Sequence, residues 1–380
     1  MQEVYITKTA HFLPNDVVHN DEMEDYLGLI NNQRSRSKPI VLRNNKIKSR
    51  YYAINKKGIA THTNAEMVSN AVRNLFKDQP ELIKGVDLLS CGTSSPDQLM
   101  PSHGVMVHGY LPEMNSIEVV SPSGVCCSGM HALKYAYQSI KCGDKSMAVT
   151  TGSERLAKTL RSEQFEEEVS KLDGLESSPY LAFEKDFLRW MLSDGAATFL
   201  LQDKKNESGI SLKIDWIDGF SYANQEEPCM YMGADKNEDG TLTSYVDFTN
   251  DEIVDKSVMS IKQDVKLLSE KIVKLGYRGL IDVLKKRNLS VDSIDHFLPH
   301  LSSYFFEDKI ANILIENDMP IPMEKWFTNL SSKGNVGAGS IYLMVDEIFN
   351  SGKLKKGEKL LLLVPESSRF SYMYCMLTVC

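Results

Sequence analysis

The chain has 380 residues, a formal net charge of −8 and 42% apolar residues. That length suits two domains or one fold of two halves, and the acidic balance argues against broad nucleic-acid binding. No stretch approaches the ~18 uninterrupted apolar residues of a membrane span. Seven cysteines without regular spacing argue against a disulfide framework and for a reducing, cytoplasmic setting.

Residues 1–18 read as a strand and a turn, without the basic start and apolar run of a signal peptide. Residues 33–50 are basic, with Arg34, Arg36, Lys38, Arg43, Lys46, Lys48 and Arg50. Met67, Val68, Ala71, Val72 and Leu75 recur at helical spacing and predict a helix over 65–76. A buried strand over 86–91 follows, ending in the polar turn Gly92-Thr93-Ser94-Ser95. After Gly124-Val125-Cys126-Cys127-Ser128-Gly129, the residues Met130, Leu133, Tyr137 and Ile140 form one buried helix stripe. Gly143 fits the C′ position of that helix, and a strand over 146–151 leads on to Glu154. Residues 155–188, with the run Glu166-Glu167-Glu168, read as an insertion over the site or along a subunit contact. A strand over 196–201 closes this part.

The same order then returns. A helix over 272–284 precedes a strand over 294–299 that ends in His300-Leu301-Ser302-Ser303, and a helix over 341–349 precedes a strand over 360–364. The pattern predicts α/β layers in two duplicated halves, 1–209 and 210–380. Asp235-Lys236-Asn237-Glu238-Asp239-Gly240 begins like a calcium loop, but Val246 stands where the bidentate glutamate is due; it reads as a hairpin turn. There is no P-loop or dinucleotide fingerprint, and no metal or cofactor is expected.

Three residues carry the candidate chemistry. Cys127 falls at a helix start, where unpaired N–H groups and the dipole favour a thiolate; a small buried hydrophobe is the alternative, and Cys126 competes for the role. His300 ends a buried strand, where α/β sheets present functional groups. Asn335 lies in Lys333-Gly334-Asn335-Val336-Gly337-Ala338-Gly339, a tight turn that presents an amide or an N-cap. A thiol nucleophile forms acyl-enzymes, and two neutral N–H donors stabilise an oxyanion or enolate.

On these residues the chain resembles the β-ketoacyl-acyl-carrier-protein synthase III family, condensing enzymes of the thiolase-fold superfamily. The family's nucleophile motif matches Cys127-Ser128-Gly129-Met130, its proline–histidine strand end Pro299-His300, and its glycine–asparagine turn Gly334-Asn335. Ser193-Asp194-Gly195-Ala196 matches its Gly-Asp-Gly-Ala stretch with one substitution, and Lys46-Ile47-Lys48-Ser49-Arg50 resembles its early Gly-Ile-x-x-Arg element. The resemblance implies a five-layered αβαβα fold and a homodimer. It implies an acyl group carried on Cys127 and a second thioester, malonyl or β-ketoacyl, activated by His300 and Asn335. Coenzyme A or carrier-protein thioesters would be the substrates, with Arg34, Arg36, Arg43 and Lys46 as candidate grips for phosphates or an acidic carrier protein. Backbone N–H groups of Cys127 and of the loop near Ser367 would hold the oxyanion.

Two departures bear on the subtype. Leu301-Ser302-Ser303 replaces the housekeeping Gln-Ala-Asn, and Pro365-Glu366-Ser367-Ser368 replaces a glycine triplet. Both argue against ordinary acetyl-primed fatty acid initiation, while Gly92-Thr93-Ser94-Ser95-Pro96-Asp97-Gln98 and Phe187-Leu188-Arg189-Trp190-Met191-Leu192-Ser193-Asp194-Gly195 resemble ketosynthases of specialised metabolism, among them enzymes that cyclise two acyl chains to a cyclohexanedione. Such an enzyme needs an extra base, for which Glu154 is the candidate, with a structural glutamate as the alternative. A housekeeping synthase III, an acyltransferase on this fold and a non-catalytic acyl-binding partner subunit are the competing expectations.

Overall fold

Short apolar strands, buried on both faces, build one nine-stranded sheet. The computed structural model describes residues 2–30, 32–35, 37–164 and 188–380; Arg36 and most of the expected insertion, 165–187, lie outside the described residues. In chain order the strands are β1 (Tyr5–Phe12), β2 (Leu88–Thr93), β3 (Glu118–Val120), β4 (Met147–Glu154), β5 (Gly195–Gln202), β6 (Leu212–Ser221), β7 (His296–Pro299), β8 (Lys359–Glu366) and β9 (Ser371–Val379). Their lateral order is β7-β8-β9-β6-β1-β5-β4-β2-β3.

That order is a duplication. Outward from the β6–β1 contact, each side runs through its first, last, second-to-last and second strand, and the N-terminal side adds β3 at the edge. Directions repeat as well: β2–β4 and β7–β8 are parallel, while the pairs nearer the centre are antiparallel. The two sides join through only two register pairs, Tyr5 with Lys213 and Ile6 with Leu212. Side-chain packing must therefore hold them together.

It does so through a middle helical layer. Five helices matter: α1 (Asn64–Phe76), α2 (Ser128–Lys141), α3 (Val265–Arg287), α4 (Glu307–Ile315) and α5 (Ser340–Phe349). The apolar stripes of α2 and α5 share one core with strands from both halves, including Ile6, Ala197, Ile214, Leu362 and Cys375. Helix α1 covers a separate core on the first half, and α3 and α4 pack on a third that also takes in first-half residues such as Tyr52, Leu160 and Trp190. This is the layered αβαβα arrangement that the alternating pattern predicts.

The helices also fall where the spacing places them, with one extension. Thr63 and Glu66 form a reciprocal capping box that starts α1, and Gly143 follows α2 at φ 84°, a left-handed conformation suited to glycine. Helix α3 begins seven residues before the predicted start because Asp264 caps it, accepting from the Leu267 N–H. The added turns are mostly polar or half-buried, so periodicity does not reveal them. The hairpin reading of 235–240 holds: Ala234–Lys236 pairs with Leu242–Ser244, and Gly240 turns at φ 81°.

Backbones meet where α2 faces the turn before α5. A Cβ on Gly129 would lie 2.5 Å from the Ala338 carbonyl oxygen, and one on Gly152 would lie 2.3 Å from the same atom. Tyr342 of α5 seals the contact, donating to the Gly129 carbonyl at 2.8 Å and stacking on Phe199 at 4.1 Å. Gly152→Ala is therefore expected to destabilise the protein by about 3 kcal/mol, whereas Gly109→Ala, with open space around its position, is expected to stay within about 1 kcal/mol of the parent. Urea unfolding midpoints of the two variants check this contrast.

Candidate active site

Strand β8 is the rail on which the site is assembled. Cys127 caps the N-terminus of α2 and is fully buried. Its thiol donates to the Val364 carbonyl of β8 at 3.4 Å. On the other side of β8, the parallel register pairs Pro299 with Leu363, and the His300 N–H donates to the Leu363 carbonyl at 2.8 Å. His300 thus stands opposite Val364, the residue that the Cys127 sulfur touches. A cysteine from the first half and a histidine from the second converge on one residue.

The imidazole is poised and neutral. His300 is 2% exposed, and its Nε2 has no hydrogen-bond partner. Burial pulls its pKa down to about 4. An unpaired buried nitrogen is costly unless something else supplies the partner. It borders an apolar cavity lined by Cys126, Leu268, Ile272, Phe297 and Leu301. The space at its centre is about 60 Å³, room for a few water-sized groups.

Asn335 is sutured to the first half. Its N–H donates to the Met191 carbonyl at 3.0 Å, and its carbonyl accepts from the Ser193 N–H at 2.9 Å. Its Oδ1 accepts from the Gly337 N–H at 2.9 Å, which leaves the amide NH2 as the donor to offer. Gly334 and Gly337 make the turn at φ 71° and 48°, conformations open to glycine. Three residues on, Ala338 abuts Gly129, just past Cys127. Ser193 and Asp194, from the matched Gly-Asp-Gly-Ala stretch, brace this region: the Tyr51 N–H donates to Ser193 Oγ, and Asp194 accepts from the N–H groups of Ala53, Leu156 and Ala157.

Three expected groups meet partners that the sequence does not show. Glu154, expected as an extra base or as a structural glutamate, is enclosed by hydrogen bonds. Its carboxylate accepts from the Ser94 N–H at 3.1 Å, Ser94 Oγ at 2.7 Å, Ser95 Oγ at 2.6 Å and the Ala338 N–H at 3.2 Å, and it is fully buried. It ties the loop after β2 to the turn before α5. Second, the Cys127 N–H, expected as an empty oxyanion donor, already donates to Glu366 Oε2 at 2.9 Å. The Val125 N–H donates to the same oxygen at 2.9 Å, and Ser368 Oγ holds Oε1 at 2.8 Å. Ser367 Oγ turns instead toward the Met230 sulfur at 3.9 Å. Third, the thiol at the helix start is buried. Burial, and then the nearby Glu366, push the Cys127 thiol well above its ordinary value.

Sequence reasoning missed Glu366. The available signal was an acidic residue inside a loop from which N–H donors were expected.

The basic segment divides by burial. Lys38 is buried against Glu24 at 2.9 Å, and Arg50 donates to Asn20 Oδ1 at 2.9 Å and to the Trp190 carbonyl; both hold structure. Arg34, Arg43 and Lys46 are exposed. Lys46 Nζ lies 5.6 Å from the Tyr304 ring centroid, and the short helix Lys38–Asn45 packs on the turn Tyr304–Phe306. Phe306 also lines the cavity at His300, so this basic face flanks the approach to it.

Solved structures share the architecture from end to end. The tetronic acid condensing enzyme AbyA1 superposes with a TM-score of 0.73 at 18% identity, over 99% of both chains. Xanthomonas campestris OleA, determined with lauric acid and lauroyl-CoA, gives a TM-score of 0.73 at 16% identity over 99% of both chains. The fold is the thiolase fold that these structures share. Two family models match: β-ketoacyl synthase, N-terminal domain, over residues 118–207, and 3-oxoacyl-[acyl-carrier-protein] synthase III, C-terminal, over 284–364. A β-ketoacyl-[acyl-carrier-protein] synthase III of Clostridium perfringens is 23% identical over 354 residues, 92% of each chain. Over these matches the chain is similar to the β-ketoacyl-[acyl-carrier-protein] synthase III family.

The depressed His300 value has a consequence for pH. The unfolded chain, with an ordinary histidine near 6.5, binds a proton that the folded protein refuses until about pH 4. Folding stability from this group is therefore complete above about pH 6.5 and declines as pH falls toward 4. The His300 ring signals in NMR are expected to remain those of neutral imidazole at pH 5.5, and His300→Gln is expected to flatten the acid limb of the stability curve.

Proposed function

We propose that this protein is a specialised ketosynthase that forms a carbon–carbon bond between an acyl group loaded on Cys127 and a malonyl- or β-ketoacyl-thioester. The observation that carries the reading is the unpartnered Nε2 of His300 at the edge of an apolar cavity, with the His300 backbone opposite Val364, whose carbonyl the Cys127 sulfur touches. In the first stage Cys127 attacks the donor thioester, an S–C bond forms, and the donor thiol leaves with the proton. In the second, His300 and the Asn335 amide hydrogen-bond the carbonyl of the second thioester. Loss of carbon dioxide or of an α-proton then gives an enolate that these neutral donors stabilise. The enolate attacks the acyl carbonyl, the C–S bond to Cys127 breaks, and the thiol is regenerated by protonation.

Burial keeps His300 neutral, which suits a hydrogen-bond partner for a thioester enolate better than an imidazolium that would be quenched by proton transfer. The apolar lining from α3, β7 and α4 suits an alkyl chain. The exposed Arg34, Arg43 and Lys46 suit the phosphates of coenzyme A or an acidic carrier protein. The specialised assignment is supported by the loop Pro365-Glu366-Ser367-Ser368, whose carboxylate takes the place of a free oxyanion donor. A homodimer is part of the proposal: β3 is an edge strand paired on one side, and Leu99 and Met100 are 74% and 86% exposed.

Intact-mass analysis after incubation with a panel of acyl thioesters tests the assignment. The expected result is an acyl adduct that is lost in Cys127→Ala and retained in Cys126→Ala; an adduct lost only in Cys126→Ala would contradict it. After addition of malonyl- or β-ketoacyl-carrier protein, a linear β-ketoacyl product or a ring is expected, the ring placing the enzyme in the cyclising branch. An ester or amide product would mark an acyltransferase.

A further inference from the structure

The N-terminus of α2 offers one seat for an anion, and a side chain of the protein fills it. Glu366 ends β8, 7% exposed. Its Oε2 accepts from both Val125 and Cys127 N–H groups at 2.9 Å. Cys127 is the N-cap of the 14-residue helix and Val125 lies two residues before it, so the carboxylate sits at the helix end where a negative charge is best stabilised. Among the described residues Glu366 forms no ion pair, so it is held by these amides and by Ser368 Oγ. The Cys127 thiol meanwhile is turned to the Val364 carbonyl, and the cavity is lined by Cys126 rather than by Cys127. Nucleophile and amide are both engaged internally.

Acylation of Cys127 creates a tetrahedral intermediate whose oxygen needs the same N–H. A carboxylate and an oxyanion cannot occupy it together. We propose that Glu366 is a positioning residue that holds the anion seat of Cys127 in the resting enzyme, and that an acyl thioester loads only when its side chain leaves that seat. This deepens the proposed function and rests on Cys127 being the nucleophile. With the seat vacated, the Sγ–C bond forms and the Cys127 amide binds the oxyanion that results. The oxyanion then collapses, the donor C–S bond breaks, and the thiol proton departs with the leaving thiol.

The arrangement makes the enzyme inert until substrate displaces the carboxylate. It gives a physical role to an acidic residue where a glycine would leave the seat open. The titratable groups around Glu366 are Cys126, Cys127 and His131 from the nucleophile side, Tyr372 of β9 faces Cys127 across the strand, and Glu154 faces Cys126 from the end of β4. The carboxylate adds to burial in holding the Cys127 proton.

Two readouts test this. The first is iodoacetamide alkylation of Cys127 in the full-length protein, located by fragment mass spectrometry and followed against pH. Glu366→Gln is expected to speed alkylation at pH 7.5 about tenfold, because the carboxylate that helps to hold the thiol proton is gone, with an unchanged melting temperature. Ser368→Ala, which frees Oε1 but keeps the charge, is expected to give a smaller gain, about threefold. The second readout is the single-turnover rate of acyl-adduct formation with hexanoyl-CoA, expected to rise in both variants. If Cys127 forms the adduct but both variants match the parent in alkylation profile and acylation rate, the gating role is overturned while the nucleophile assignment stands. Absence of any adduct on Cys127 would instead overturn the reading beneath it.

Discussion

Everything at the site depends on two backbones meeting without side chains between them. Gly129 and Gly152 of the first half face the Ala338 carbonyl of the second at distances that exclude a Cβ. The hydrogen-bonded sheet joins the halves through only two register pairs, so this contact, with Tyr342 locking it, fixes how deeply one half sits in the other. Cys127 lies two residues before Gly129 and Asn335 three before Ala338. A shift of an ångström at the seam would displace the nucleophile relative to its partner amide, and reacting groups tolerate little displacement.

Buried carboxylates fasten the surroundings of the seam in different ways. Glu154 reaches from the end of β4 to the Ala338 N–H and to the serines after β2, and burial raises its pKa against the pull of those bonds. Asp194, pushed up to about 6 by burial, gathers three backbone N–H groups from two loops. Both are satisfied from all sides and serve as fasteners. Glu366 is held by the Val125 and Cys127 amides, and the second of these is the donor that the proposed acylation would use.

Much of this was legible in the chain. Met130, Leu133, Tyr137 and Ile140 identify α2 because its buried stripe is dense, and Gly143 marks its end. His300 follows an apolar strand short enough to be recognised by composition. The strand–helix order repeats clearly enough to predict a duplicated fold. What sequence could not give are contacts between distant residues: Glu366 meets Cys127 across 239 positions. The choice between a structural and a catalytic Glu154 depended on whether Ser94, Ser95 and Ala338 would arrive around it, and no local pattern encodes that. Lys38 and Arg50 read as members of a basic surface, yet partners at Glu24, Asn20 and Trp190 bury them.

The central claim is that acyl loading and enolate formation are separate tasks of one seam, the first carried by Cys127 and the second by His300 and Asn335. The most direct measurement compares adduct formation and condensation in His300→Ala and Asn335→Ala with a shared pair of thioester substrates. The account predicts acyl-Cys127 formation within about threefold of the parent and condensation reduced by about 10²–10³-fold in each variant. Variants that fold normally and condense at the parental rate would contradict it.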